Sequence, residues 1–158
     1  MNKHHVAQLN IATLRAPLDS PKLADFVANL DRLNALAEAT PGFIWRLQTE
    51  EGDATAIDFF GADKIVNLSL WESIEALHGY VYGPAHVEVM RRRKAWFEKM
   101  GEAYMVLWWV PAGHTPSVEE AAQKLNTLRQ NGPTVEAFTF RKAFTLSGYN
   151  HEAMTLRR

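Results

Sequence analysis

The chain contains no cysteine. Disulfides, thiolate nucleophiles, iron–sulfur clusters and cysteine-bound zinc are therefore excluded, and the composition agrees with a reducing compartment. It has no apolar run of the roughly 18 residues that a membrane span requires. The start, MNKHHVAQLN, lacks the apolar centre of a secretory leader. An excess of one charge is missing too: 17 Lys and Arg stand against 18 Asp and Glu, a net of −1. No global field is present to hold nucleic acid or an anionic membrane, so any cationic patch must be local. There is no Gly-rich phosphate loop, no G-x-S-x-G elbow and no H-E-x-x-H pair. These absences predict a cytoplasmic protein with neither nucleic-acid nor membrane partners. What is present, 158 residues with 47% hydrophobic content, suits one domain that buries about 70% of its unfolded surface.

The order of elements follows from periodicity. In HVAQLNIATL, Ala7, Leu9 and Ile11 alternate with Gln8 and Asn10, the pattern of a strand with one apolar and one solvent-facing side. Ser20 as N-cap and Pro21 at the first helical position open a helix carrying Leu23, Phe26, Val27, Leu30, Leu33 and Ala37, which Thr40, Pro41 and Gly42 end. FIWRLQTE and KIVNLSLWE read as strands 2 and 3. Residues 73–100 read as helix on both sides of a break at Gly83 and Pro84. AYMVLWWVPAG is strand 4, and a third helix follows with a capping box from Ser117 to Glu120. AFTFRKAF adds a short strand, residues 1–145 form the domain, and 146–158 make a loose tail. The order β, α, β, β, α, β predicts an α+β, ferredoxin-like split βαβ antiparallel sheet with helices on one face.

Strands 2 and 4 carry large apolar side chains on both sides, including Trp45 and Ile44, and Trp108 and Trp109. Such strands are buried on both faces. The preferred expectation is a homodimer packed sheet to sheet, a homodimeric α/β barrel; the alternative is that the C-terminal helix covers the second face within one chain.

Polar residues on apolar surfaces point to a site. At about 100° per residue, Val89, Met90, Trp96, Phe97 and Met100 form one stripe, with Arg93 at its midpoint and His86 near it. Arg91, Arg92 and Lys94 fall outside, as a solvated or rim-lying set. The same projection puts His78 among Ile74, Leu77, Val81 and Tyr82. An inward arginine cannot shed its charge and needs an anion. That anion is either an internal carboxylate, with Glu72, Asp58 and Glu38 as the candidates, or a ligand. His78 and His86 lack the spacing of a helical metal pair, so no metal site is expected. His114 follows VPAG on a loop at the end of strand 4, where functional side chains are often presented.

The segments AQLNIATLRAPLDSP, NLSLWESIEALHGYVYGPAHVEVMRRRKAWFEKM, VLWWVPAGH and GPTVEAFTFRKAF resemble a bacterial family catalogued as domain of unknown function 3291, within the dimeric α/β barrel superfamily. The resemblance runs from about Val6 to Phe144 and implies the ferredoxin-like subunit and its dimer. It implies no activity of its own. The wider superfamily is similar to antibiotic-biosynthesis-type monooxygenases, which need no metal or flavin and act on aromatic molecules, and to haem proteins with an axial histidine. Both place the ligand between the second helix and the sheet.

Two functional expectations follow. One is a cofactor-independent, monooxygenase-like enzyme for a small apolar or aromatic molecule, with His86 as general base and Arg93 stabilising a developing enolate or phenolate. His78, Tyr82, Trp96, Trp108 and His114 would be its ligand-binding residues. The alternative is a haem protein, with His86 or His78 as axial ligand and Arg93 on a propionate. A non-catalytic ligand-binding module is the reading if Arg93 pairs internally.

Overall fold

A computed structural model describes residues 3–48, 59–145 and 153–154. β1 (His4–Thr13) is followed by a single 3-10 turn at Pro21–Leu23, α1 (Ala24–Ala39), β2 (Phe43–Arg46) and β3 (Lys64–Trp71). Three helices, α2 (Ile74–Val81), α3 (Pro84–Met90) and α4 (Arg93–Trp96), lead to β4 (Met105–Pro111). Then come α5 (Val118–Asn131), β5 (Ala143–Phe144) and β6 (Ala153–Met154). The first four strands form one antiparallel sheet in the order β2-β3-β1-β4, which is the ferredoxin-like arrangement read from the sequence. No helix among the described residues is long and apolar enough to cross a membrane.

Register decides which side chains share a face. Leu9 lies opposite Leu68 on β3 and Val106 on β4, so these three point to one side. That side holds Ala7, Leu9, Ile11, Val66, Leu68, Leu70, Val106, Trp108 and Val110, together with Ala121, Leu125 and Leu128 from α5. The C-terminal helix therefore covers the β1 and β4 part of the second face within one chain. Leu68 and Leu70 are each 2% exposed and Trp108 1%. The sheet-to-sheet dimer was expected because this face was taken to be bare, and α5 removes that reason.

The other side carries α1 and α2. Ile74 and Leu77 of α2 pack with Ala37, Val6, Trp71 and Leu107. Gly42 lets α2 approach β2 closely, since its φ of +93° suits glycine and a Cβ there would lie 2.5 Å from the Ala76 Cβ. Beyond β4 the chain returns alongside it, with Phe138 and Leu107 exchanging both backbone hydrogen bonds. Phe138, Phe140 and Phe144 thereby join the helix-side core. The tail expected after residue 145 lies outside the described residues, except for the two-residue pairing of β6 with β5.

Three local expectations are corrected. The helix predicted through Met100 stops at Met90, turns at Arg91 and Arg92, and resumes for one turn only. Phe97 is then extended and bridges Leu14, while the Trp96 carbonyl accepts from the Arg15 N–H and the Glu98 N–H donates to the Thr13 carbonyl. These links to β1 end the helix. Ser20 makes no side-chain cap. At α5 the Ser117 hydroxyl accepts from the Glu120 N–H, but the Glu120 carboxylate turns to Trp108 and His114 instead of completing the capping box.

Candidate functional site

β1 and β3 bring polar side chains to the helix-facing side of the sheet. Gln8 lies opposite Ser69, and Asn10 opposite Asn67. The Gln8 amide nitrogen donates to Ser69 Oγ at 2.9 Å and to Asn67 Oδ1, and Asn10 Nδ2 donates to Gln8 Oε1 at 3.2 Å. Trp71 Nε1 donates to the same Ser69 hydroxyl at 2.9 Å. Gln8 is only 3% exposed. The polar side of β1, expected to meet solvent, is instead a hydrogen-bonded floor beneath the helices. Alternating amides in HVAQLNIATL and KIVNLSLWE were the available signal, but alternation alone does not say which side is wet.

Above this floor lies a cavity of about 750 Å³, within the range of small-molecule sites. α1 contributes Phe26, Leu30 and Leu33 to its wall, and the α2–α4 segment contributes Tyr80, Tyr82, His86, Val89, Arg93 and Trp96. Asn10, Asn67, Arg46 and Tyr104 reach it from the sheet and the start of β4. A narrower polar cleft, lined by Gln8, Asn34, Asn67, Arg46, Tyr80 and His86, shares several of these residues.

His86 stands at the head of α3, where Pro84 supplies the fixed φ that starts the helix. Its ring meets Tyr80 edge to face at 5.1 Å. Nδ1 is buried with no hydrogen-bond partner among the described residues. Burial holds this imidazole below its ordinary pKa of 6.5, and hydrogen bonding to the Val81 backbone opposes the shift. Tyr80 stacks on Trp71 and donates to the Leu33 carbonyl at 2.9 Å. Its pKa is pushed up to about 12 by burial, with the Arg46 charge acting in the opposite direction.

Arg93 is half-buried and donates to the Tyr104 hydroxyl at 2.9 Å, with its guanidinium carbon 5.0 Å from the centre of that ring. No carboxylate pairs with it among the described residues. Glu38 pairs with Arg46 at 3.2 Å, Glu72 is exposed, and Asp58 lies outside the described residues. Arg92 is different: it pairs with Asp25 and lies 5.0 Å above Trp96. Arg91 is exposed yet lines the cavity, which matches a rim position.

The cavity thus brings together His86, Arg93, Tyr82 and Trp96 of the sequence-predicted set. His78 does not line it; that ring packs on Tyr82 at 4.3 Å and on Phe140 at 5.5 Å. Trp108 and His114 are on the opposite side of the sheet. Trp108 Nε1 donates to Glu120 at 2.8 Å, and His114 Nε2 lies 2.6 Å from the other Glu120 oxygen. Both serve the seating of α5, because strand alternation sends Trp108 away from the helices that hold His86. Arg46, Tyr80, Asn10 and Asn67 are the site residues that the sequence reading missed.

Chains of known structure are similar to this one at low identity. SnoaB, a cofactor-independent oxygenase from Streptomyces nogalater, is 19% identical over 70% of this chain and 95% of its own, with a TM-score of 0.42. A Shewanella oneidensis protein is 10% identical over 70% of this chain and 92% of its own, at 0.49. A Pseudomonas aeruginosa protein is 12% identical over 73% and 99%, at 0.47. No curated protein matches the sequence. Residues 5–154 match the family described as a domain of unknown function, DUF3291, and the chain belongs to that family.

Proposed function

We propose that the cavity binds a small aromatic molecule and oxidises it in the manner of a cofactor-independent monooxygenase. The observation that carries this reading is His86 itself: a cavity-lining imidazole that burial favours in its neutral form. A neutral imidazole near its working pH is a competent general base. It would take a proton from an acidic C–H or phenolic group, and the resulting anion would be stabilised by the Arg93 guanidinium and by the amides of Asn10 and Asn67. Such an electron-rich anion can reduce dioxygen directly. For an activated methylene the balance is CH2 plus O2 giving C=O plus H2O, with dioxygen as the oxidant.

The test is oxygen uptake with the tricyclic anthrone dithranol in air, in the presence of a chelator. The native protein should accelerate quinone formation, and His86→Ala should lower the rate by about 10²- to 10⁴-fold. A native rate equal to that of His86→Ala would overturn the proposal. The same histidine supports a second reading, haem ligation. The residues fit, since His86 lines the cavity and cavity arginines can meet propionates. Haem would supply redox chemistry at iron when bound. Uptake of added haemin with a Soret band that disappears in His86→Ala supports that reading, and no uptake removes it.

A further inference from the structure

The charges on the cavity wall are all of one sign. Arg46, Arg91, Arg93 and Arg141 line it, and no Asp or Glu among the described residues does. This is a local concentration in a chain whose overall net charge is −1. Arg46 is offset by Glu38 at the edge of the site, where the Glu38 side chain is 45% exposed. Arg93 is not offset by any carboxylate among the described residues. Of the five N–H donors a guanidinium carries, one is committed to the Tyr104 hydroxyl. The ring beneath it supplies a face but no countercharge.

We propose that the natural ligand is an aromatic carboxylate: a molecule anionic before any chemistry, with its carboxylate on Arg93 and its ring system against the wall formed by Phe26, Val89 and Trp96. The inference rests on the cavity being a ligand site, as above, and extends it from a charge that develops during reaction to one the ligand brings. The planar fork of arginine matches a carboxylate in two parallel hydrogen bonds. A cavity lined by one sign of charge also focuses its field on an incoming anion. The apolar wall gives the ring system its own burial, so the ring system binds without the carboxylate and the carboxylate adds to its affinity through Arg93.

Pyrenebutyrate and pyrenebutanol test this, because they share one ring system and differ in the carboxylate. Binding is read by energy transfer from tryptophan, Trp96 lying in the cavity wall. The carboxylate should bind the native protein at least about tenfold more tightly than the alcohol, the range of a charge-assisted hydrogen bond. Arg93→Met should bring the pair to within about threefold while leaving the alcohol nearly unchanged. Arg92→Met, outside the cavity and paired with Asp25, should keep the full preference. If Arg93→Met does not fold, the exposed pair Arg91→Gln with Arg141→Gln should still shrink the ratio. Equal binding of the two probes by the native protein overturns the anion assignment and leaves the cavity as a neutral aromatic site. A preference that survives Arg93→Met overturns the role of Arg93. Failure of both probes to bind removes the ligand site and, with it, the preceding proposal.

Discussion

Replacing Leu125 with alanine asks whether α5 is what covers the outer face of the sheet. Leu125 is 2% exposed and shares a cluster with Leu9, Val106 and Trp108. Truncation deletes three carbon groups worth about 0.8 kcal/mol each in transfer. The facing strands are fixed by hydrogen bonds on both edges of β1, so they close the resulting void poorly and a cavity term adds to the loss. The expected cost is about 3–4 kcal/mol, in the middle of the range for buried leucines. For a chain of this length that lowers Tm by roughly 6–16 °C. Urea unfolding followed by tryptophan fluorescence should show an earlier midpoint at an unchanged slope. Asn126→Ala, on the exposed side of the same helix, should stay within about 0.5 kcal/mol of the native protein. The loss at Leu125 should also be independent of protein concentration, because helix and sheet belong to one chain; coverage by a second copy would make it grow on dilution. A cost below about 1 kcal/mol, or one that depends on concentration, refutes the reasoning.

Acid stability should carry the signature of His86. Its lowered pKa means that the unfolded chain takes the proton first, so the stability is fully present above about pH 6.5 and is lost as pH falls through the folded value. His86→Gln should flatten this limb in urea midpoints measured across pH, and an unchanged limb would count against a buried neutral ring. At the alkaline end Tyr80 behaves oppositely, its protonated form being the one that folding favours. Its contribution is present below about pH 10 and is lost as pH rises through about 12. Tyr80→Phe should remove a phenol titrating near pH 12 from the ultraviolet titration and cost about 1 kcal/mol through the bond to the Leu33 carbonyl; titration of Tyr80 near pH 10 would contradict the burial.

Much of the site was legible because helical spacing is a local property. The projection that set Arg93 and His86 toward the sheet identified two residues that both line the cavity, even though the helix it assumed is broken at Arg91 and Arg92. The projection therefore succeeded for positions close to Val89 and failed for Met100, which packs on the opposite side of the sheet. The strand residues were harder. Alternation separated Gln8 and Asn10 from Leu9 and Ile11, but hydrophobicity alone assigned the amides to solvent, and the floor they form depends on β3 supplying Asn67 and Ser69 in register. Trp108 and His114 were misplaced for the same reason: nothing local to VLWWVPAGH says that α5 will bring Glu120 to them.

The order of strands and helices, the antiparallel sheet and the inward arginine were determined by the sequence itself, since periods of 2 and 3.6 residues and the punctuation by proline and glycine act within a few residues. Which face of the sheet holds the cavity, which histidine reaches it and whether the second face is bare were decided only by tertiary structure. Each depends on contacts between segments far apart in the chain: α5 returning over β4, Phe138 pairing with Leu107, and Arg46 meeting Glu38. A side chain's chemistry is carried in the sequence, but the medium that tunes it is assembled by the fold.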